Sequence, residues 1–138
     1  MTMLRSVNLR YYILKHPLKI KDDANILEAM QVIIDNKVSG LCVVDDAENL
    51  VGILSELDCL RALLSATYNK TGLGEVREYM AFDNLVVAHP DEDIIDVAQD
   101  MLAKNKRRRP VVENGKLIGQ ILSLIHISEP TRQPATSR

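Results

Sequence analysis

Aromatic residues and cysteines are scarce in this chain of 138 residues. Only 4% of the residues are aromatic, with one phenylalanine and no tryptophan, so a surface on which nucleic-acid bases stack is not predicted. Cys42 and Cys59 do not have CxxC spacing, and two cysteines are too few for a disulfide framework. We interpret these two cysteines as reduced thiols of the core.

Long apolar runs are missing as well. No stretch approaches the roughly 20 apolar residues of a membrane span. The first ten residues lack the apolar run and the small-residue cleavage site of a signal peptide. We therefore predict a cytoplasmic protein with no membrane partner.

The charges of the chain nearly balance. The chain has 17 Lys and Arg residues and 19 Asp and Glu residues, so its formal net charge is −2. A charge this small gives the chain as a whole no attraction to polyanions. The histidines His16, His89 and His126 are scattered, and neither a Walker loop nor a GxGxxG motif occurs. With 46% hydrophobic and 26% charged residues, the sequence is typical of a soluble globular domain. No enzymatic activity is predicted.

The sequence contains an internal repeat. Residues 26–34 align with residues 94–102 at a shift of 68, and residues 50–52 align with residues 117–119 at a shift of 67. The lost residue falls in a polar segment between two apolar runs, where Asn114-Gly115 is a strong hairpin dipeptide. Because hairpin turns tolerate changes of length, the two copies are predicted to share one fold.

Each copy has the same predicted order of elements. Apolar residues at helical spacing predict amphipathic helices over residues 26–34 and 94–102, the first capped by Asn25 with Glu28 and the second preceded by Pro90-Asp91 as a start signal. Leucines predict a further helix from Leu57 to near Ala66. Short β-branched runs predict the strands, which span residues 18–21, 41–44, 50–54, 85–88, 110–112 and 117–121.

These elements predict an α/β fold of two β-α-β-β-α repeats. Two such repeats, each with an open apolar face, are expected to pack about a pseudo-twofold axis and to leave a cleft between them. We place the first repeat at residues 7–66, a linker at 67–75, the second repeat at 76–121 and an atypical tail at 122–138. The last helix is missing or replaced, because this tail has no leucine periodicity and contains two prolines.

The two copies together resemble a tandem pair of CBS domains, the regulatory modules named after cystathionine β-synthase. The matching segments are residues 37–45 and 105–113 before the two turns and residues 52–58 after the first turn. The resemblance implies a module that senses AMP, ADP, ATP or S-adenosylmethionine in the cleft between repeats. It also implies no required cofactor, a homodimer and a regulated protein of unknown identity. Chemistry on the ligand is not implied.

The resemblance places a hydroxyl and a carboxylate on the ligand. Ser55 would help to hold phosphate, and Asp58 would accept hydrogen bonds from the ribose hydroxyls. The same residues also form an S-x-x-D capping box at the start of a helix, and the two roles can coexist. The resemblance also implies that the backbone near Ile20 and Lys21, with Val38 and Gly40, lines the adenine pocket. Ile20, Val38 and Gly40 are equally natural as core and turn positions.

A basic run precedes the second hairpin. Among its residues, Arg107, Arg108 and Arg109 are candidates for a bidentate contact with phosphate, whereas Lys104 and Lys106 suit a solvated helix end. Nonspecific nucleic-acid binding through residues 104–109 is an alternative, as is a ligand-free docking or dimerisation module. The scarcity of aromatic residues makes nucleic acid the weaker alternative.

The second copy lacks the polar pair of the first. Leu122 and Ile125 stand where a serine and an aspartate are expected, so we predict at most one nucleotide per chain. From Leu122 onward the sequence resembles translated vector or sequencing-adapter sequence. We interpret residues 122–138 as a foreign segment, with a genuine divergent tail as the alternative.

Overall fold

A computed structural model of the chain describes residues 8–69 and 72–122. These residues form two compact units. The first unit comprises residues 18–85 with residues 115–117 and contains the predicted first repeat from Leu18 onward. The second unit comprises the described residues before Leu18 together with residues 86–114 and 118–122. The predicted tail beyond Leu122, including Ile125, lies outside the described residues.

The first unit is built on a three-stranded sheet. Strand β1 (Lys19–Lys21) runs parallel to β2 (Gly40–Val44), which pairs antiparallel with β3 (Leu50–Ser55). The predicted hairpin turn at residues 45–49 joins β2 to β3. These strands contribute three almost fully buried side chains to the hydrophobic core of the unit, those of Leu41, Val43 and Leu54.

Two helices cover this sheet. Helix α1 (Ile26–Asn36) buries Ile26, Ala29 and Ile33, and its N-cap is Asn25, whose side chain accepts a hydrogen bond from the amide of Leu27 at 2.8 Å. Helix α2 (Glu56–Asn69) extends beyond the predicted end near Ala66 into the predicted linker. The cap at Asn25 and the existence of both helices confirm the sequence patterns.

The buried face of α2 differs from the face that its leucines suggest. Cys59 and Ala62 are buried against the sheet, whereas Leu57, Leu60 and Leu64 are more than half exposed. Both cysteines of the chain are buried, and neither forms a disulfide with a described residue, as predicted. The buried positions of α2 are occupied by small side chains, and three of its leucines are exposed.

The second unit repeats the same elements in reduced form. Helix α3 (Ile94–Ala103) is followed by the hairpin of β4 (Arg108–Glu113) and β5 (Lys116–Leu122). Helix α3 begins at Ile94, as the apolar spacing predicts, and its N-cap is Asp93, whose side chain accepts from the amide of Ile95 at 2.8 Å. The predicted start signal Pro90-Asp91 lies in a turn just before this cap.

The strand predicted at residues 85–88 is wrong. Only Ala88 pairs with β4, as an isolated parallel bridge to Val111. In the first unit the amide of Cys42 donates to the carbonyl of Leu18 at 3.4 Å, and the repeat places Pro110 at the position of Cys42. Because proline has no amide hydrogen, the corresponding bond cannot form and the strand is cut short.

Each sheet is completed by the initial segment of the other repeat. Ala81, near the start of the second repeat, bridges to Ile53 of β3, and Leu14, near the start of the first repeat, bridges to Gln120 of β5. Gly52 and Gly119 make room for these segments. A Cβ on Gly119 would lie 2.2 Å from the side chain of Ile13 and 2.7 Å from the carbonyl oxygen of Leu14.

None of the helices among the described residues is long and apolar enough to cross a membrane.

Candidate functional site

Ser55 and Asp58 meet at the junction between β3 and α2. The amide of Ser55 donates to Asp58 Oδ2 at 2.8 Å, and the amide of Asp58 donates to Ser55 Oγ at 3.2 Å. This reciprocal pair is the capping box that the sequence predicts. It orients both side chains at the first turn of α2, where free backbone amides favour negative charge.

The carboxylate of Asp58 retains room for a further hydrogen bond. Its Oδ1 accepts from the guanidinium of Arg61, one turn further along α2, and Oδ2 is occupied by the cap. A carboxylate offers about four acceptor sites, and the side chain of Asp58 is 13% exposed. Asp58 can therefore cap the helix and accept a hydroxyl hydrogen from a bound molecule. The contact with Arg61 was not foreseen, although the i, i+3 spacing could have signalled it.

The fold brings Gly40 and Val38 to the same junction. Gly40 pairs directly with Ser55 across the two strands, and a Cβ at Gly40 would lie 2.8 Å from the carbonyl oxygen of Leu54. The amide of Glu56 donates to the carbonyl of Ser39 at 2.9 Å, which fixes the loop before β2 against the start of α2. Four of the predicted ligand-binding residues thus lie close together at this junction: Val38, Gly40, Ser55 and Asp58.

Ile20 and Lys21 lie at the opposite end of the sheet. They pair with Val43 and Val44, three and four residues along β2 from Gly40. At about 3.3 Å per residue this separates them from the junction by roughly 10 Å or more. The side chain of Ile20 is buried in the core, and Lys21 Nζ lies 3.4 Å from Asp46 Oδ1. These two residues are therefore not part of the cluster around Ser55.

A surface pocket adjoins the junction on the side of α1. It has a volume of about 370 Å³ and is lined by residues of α1, the loop that follows it and the start of α2. Of the predicted site residues it includes only Val38; the other lining residues are Ile33, Ile34, Lys37, Ser39 and Glu56. Lys37, Ser39 and Glu56 lie in the segments that carry the family resemblance but were not predicted as ligand contacts, because only tertiary packing brings the start of α2 to the loop after α1.

The three candidate arginines have different surroundings. Arg107 is exposed and Arg108 is half-buried, whereas Arg109 is only 4% exposed. Arg109 Nη2 lies 2.9 Å from Asp100 Oδ2 on α3, so its charge is already paired. Lys104 Nζ lies 3.0 Å from the same carboxylate oxygen. The hydrogen bond from Lys104, with a further contribution from Arg109, lowers the pKa of Asp100.

The turn between β2 and β3 is rich in charge. Hydrogen bonds from Asn49 lower the pKa of Asp45, and the contact with Lys19 lowers the pKa of Glu48. At the junction itself, burial raises the pKa of the Cys59 thiol, which keeps it protonated at neutral pH. No three His, Cys, Asp or Glu side chains within residues 8–69 and 72–122 are placed to hold a metal ion.

The chain is similar in sequence to a known protein family and to several known proteins. The family model for the CBS domain matches residues 9–65 and 76–124. The uncharacterized protein MJ1225 of Methanocaldococcus jannaschii is 36% identical over 104 residues, which are 75% of this chain and 36% of that protein. This chain therefore spans about a third of the length of that relative.

Two solved structures cover almost all of the chain. CBSX2 of Arabidopsis thaliana, in complex with AMP, is 25% identical and superposes with a TM-score of 0.73 over 91% of this chain and 98% of the other. The CBS domain pair of protein MJ0100, in complex with 5′-methylthioadenosine and S-adenosyl-L-methionine, is 27% identical. Its TM-score is 0.68 over 92% of this chain and 98% of the other.

Proposed function

The chain belongs to the CBS domain family as a pair of repeats, and from this premise we propose that it is a regulatory module that binds an adenine nucleotide or S-adenosylmethionine. The observation that carries the proposal is the geometry of the β3–α2 junction, where Ser55 and Asp58 lie beside Gly40. Two similar pairs of known structure hold adenosine-containing molecules, AMP in one and S-adenosylmethionine in the other. We propose no chemistry on the ligand.

The residues of the junction can contact the ribose, the phosphate or carboxylate, and the base of such a ligand. Asp58 has a free acceptor site for a ribose hydroxyl, and a hydrogen bond to a charged acceptor is stronger than one between neutral groups. Ser55 Oγ and the first amides of α2 suit a phosphate or a carboxylate. The loop at Val38 and Gly40 offers backbone groups and a half-buried apolar side chain to a base.

Arg107 and Arg108 are the arginines that we propose for phosphate. Neither forms an ion pair with another residue of 8–69 or 72–122 that would compete, and a guanidinium can bind two phosphate oxygens at once. Arg109 is a weaker candidate, because it is buried and paired with Asp100. Ile20 and Lys21 are weaker candidates for the same junction, because of their distance from it along β2.

Titration calorimetry with AMP, ATP, adenosine and S-adenosylmethionine tests the proposal. We expect saturable binding of at least one of them at no more than one molecule per chain, because Leu122 stands in the second repeat where the first has Ser55. Thermal melting is expected to rise with ligand concentration in proportion to RT ln(1 + [L]/Kd). Absence of binding by all four compounds contradicts the proposal, and two equivalent sites per chain contradict the assignment of its residues.

We also propose that two copies associate through α2. Its outer face carries an apolar stripe of Leu57, Leu60, Leu64 and Tyr68, which are 53–80% exposed and recur at i, i+3, i+7 and i+11. Light scattering tests this: Leu60→Glu is expected to shift the dimer toward monomer, whereas Phe82→Glu, at a residue that is 64% exposed outside any helix, is expected to leave it unchanged. Equal effects of both variants contradict the use of α2. The regulated protein and the cytoplasmic location stay predictions from the sequence.

A further inference from the structure

Residues 8–14 are an integral part of the second unit. Leu9 is fully buried in its core beside Val97, Met101 and Val111. The amide of Leu9 donates to the carbonyl of Glu92 at 2.8 Å. The backbone groups of Leu14 and Gln120 exchange two hydrogen bonds, at 2.8 Å and 3.1 Å.

Charged contacts add to this attachment. Arg10 Nη2 lies 3.1 Å from Asp91 Oδ1 and 3.7 Å from Glu113 Oε2. The backbone of Asn8 bridges to Asp93, beside the start of α3. The short segment of residues 8–14 therefore binds its unit by a buried side chain, backbone pairing and ion pairs, and all of these contacts are made to residues far away in the sequence.

The connection between this segment and the first unit is short and strained. Only residues 15–17 join Leu14 to Leu18, where β1 begins one residue later. His16 has a φ of 61° although it is not glycine and is followed by Pro17. A residue before proline is normally extended, and the left-handed conformation costs energy in any residue with a Cβ.

The other repeat shows that the fold itself demands this turn. Asn84 lies 68 positions after His16 and is also left-handed, with a φ of 54°. Asparagine and histidine both tolerate this conformation better than most residues. The same turn thus occurs in both copies, and in the first copy the proline that follows it opposes it.

We propose that residues 8–14 exchange between two copies of this chain, so that the segment of each copy completes the second unit of the other. An exchanged segment makes the same buried, backbone and ionic contacts as an unexchanged one. The hinge of residues 15–17 can then extend, and the strain at His16 is released in both copies. The partner is therefore a second copy of the same chain, and the surface is the groove beside β5 and α3. The exchange needs neither the ligand nor the stripe on α2.

A disulfide between two different chains tests the exchange. One chain carries Leu14→Cys and the other Gln120→Cys, both with Cys42 and Cys59 replaced by alanine. Directly paired antiparallel residues have Cα atoms about 5.5 Å apart, within the range of a disulfide. The two chains are unfolded, mixed, refolded together and oxidised, and a nonreducing gel measures the covalent heterodimer. A mixture of Leu14→Cys with Asn114→Cys, at the hairpin turn, is the matched control.

Exchange predicts a heterodimer well above this control, and it predicts the same result when both chains also carry Leu60→Glu. His16→Val, which resists the left-handed conformation, is expected to increase the heterodimer, and His16→Gly is expected to reduce it by about tenfold or more. His16→Gly relieves strain, so this arm remains decisive even where the valine variant folds poorly. A heterodimer no stronger than the control overturns the proposal, and so does a yield that is the same for His16→Gly and the unsubstituted hinge.

Discussion

Replacing Asp58 by alanine separates the two roles that the structure allows this residue. The substitution removes the acceptor for the amide of Ser55, which lies 2.8 Å from Asp58 Oδ2, and it also removes the partner of Arg61. Loss of a helix cap costs about 0.5–2 kcal/mol of stability. For a chain of this size about 1 kcal/mol corresponds to a fall of roughly 3–5 °C in melting temperature.

The effect on binding is expected to be larger than the effect on folding. A hydrogen bond to a charged group contributes about 1.5–3 kcal/mol, which corresponds to a Kd about 10- to 150-fold weaker. The variant stays almost entirely folded during the measurement, because a loss of about 1 kcal/mol leaves most of a typical stability of 5–15 kcal/mol. A weaker Kd therefore reports on contact with the ligand.

Asn25→Ala is the matched control. Asn25 caps α1 in the same unit through a bond of 2.8 Å from the amide of Leu27, so its loss is expected to cost similar stability. Its Kd is expected to remain that of the unsubstituted protein. Calorimetry with whichever adenine compound binds, well below the melting temperatures, measures both variants. A Kd for Asp58→Ala within twofold of the original would refute the reasoning, as would an equal loss of affinity in Asn25→Ala.

Further substitutions test three other parts of the structure. Arg107→Gln or Arg108→Gln is expected to weaken binding of ATP more than that of adenosine, because only the phosphates need a cation; equal, small losses for both compounds in calorimetry would contradict this. Gly119→Ala is expected to lower the melting temperature by an amount equivalent to about 1–3 kcal/mol, since its Cβ would collide with the carbonyl of Leu14. Gly72→Ala, which meets nothing within 4 Å, serves as the control, and equal melting temperatures would disprove the close packing. Asp100→Asn is expected to lower the melting temperature most at neutral pH; because the folded pKa of Asp100 lies below its unfolded value, its stabilisation is lost as the pH falls through the folded pKa. A difference that does not shrink in acid, measured by melting from pH 7 to pH 2, would contradict the role of this ion pair.

Local features of the sequence determined most of the secondary structure. Amphipathic spacing located α1 and α3, Asn114-Gly115 located the second hairpin, and the S-x-x-D pattern located the cap between Ser55 and Asp58. Each of these depends on residues a few positions apart, so the pattern and the structure report the same short-range interactions. The repeat then extended the prediction from one copy to the other.

Local patterns failed where a distant residue changed the outcome. Pro110 shortened the strand expected at residues 85–88, because the missing amide belongs to a neighbouring strand and not to the segment itself. The leucines of α2 predicted a helix, but the residues of α2 that are buried in the core are the small Cys59 and Ala62, whereas Leu57, Leu60 and Leu64 are exposed. Periodicity alone does not tell which side of a helix the core accepts.

The composition of the candidate site was decided by tertiary structure. Pairing across β2 and β3 placed Gly40 beside Ser55, and the parallel register of β1 carried Ile20 away from them. Asp100 on α3 paired with Arg109, which the basic run by itself offered as a phosphate ligand. Residues 8–14 joined the unit of the second repeat although they begin the first. The sequence determined which residues carry the chemistry, whereas strand register and long-range packing decided which of them meet, because those contacts join segments that no local spacing relates.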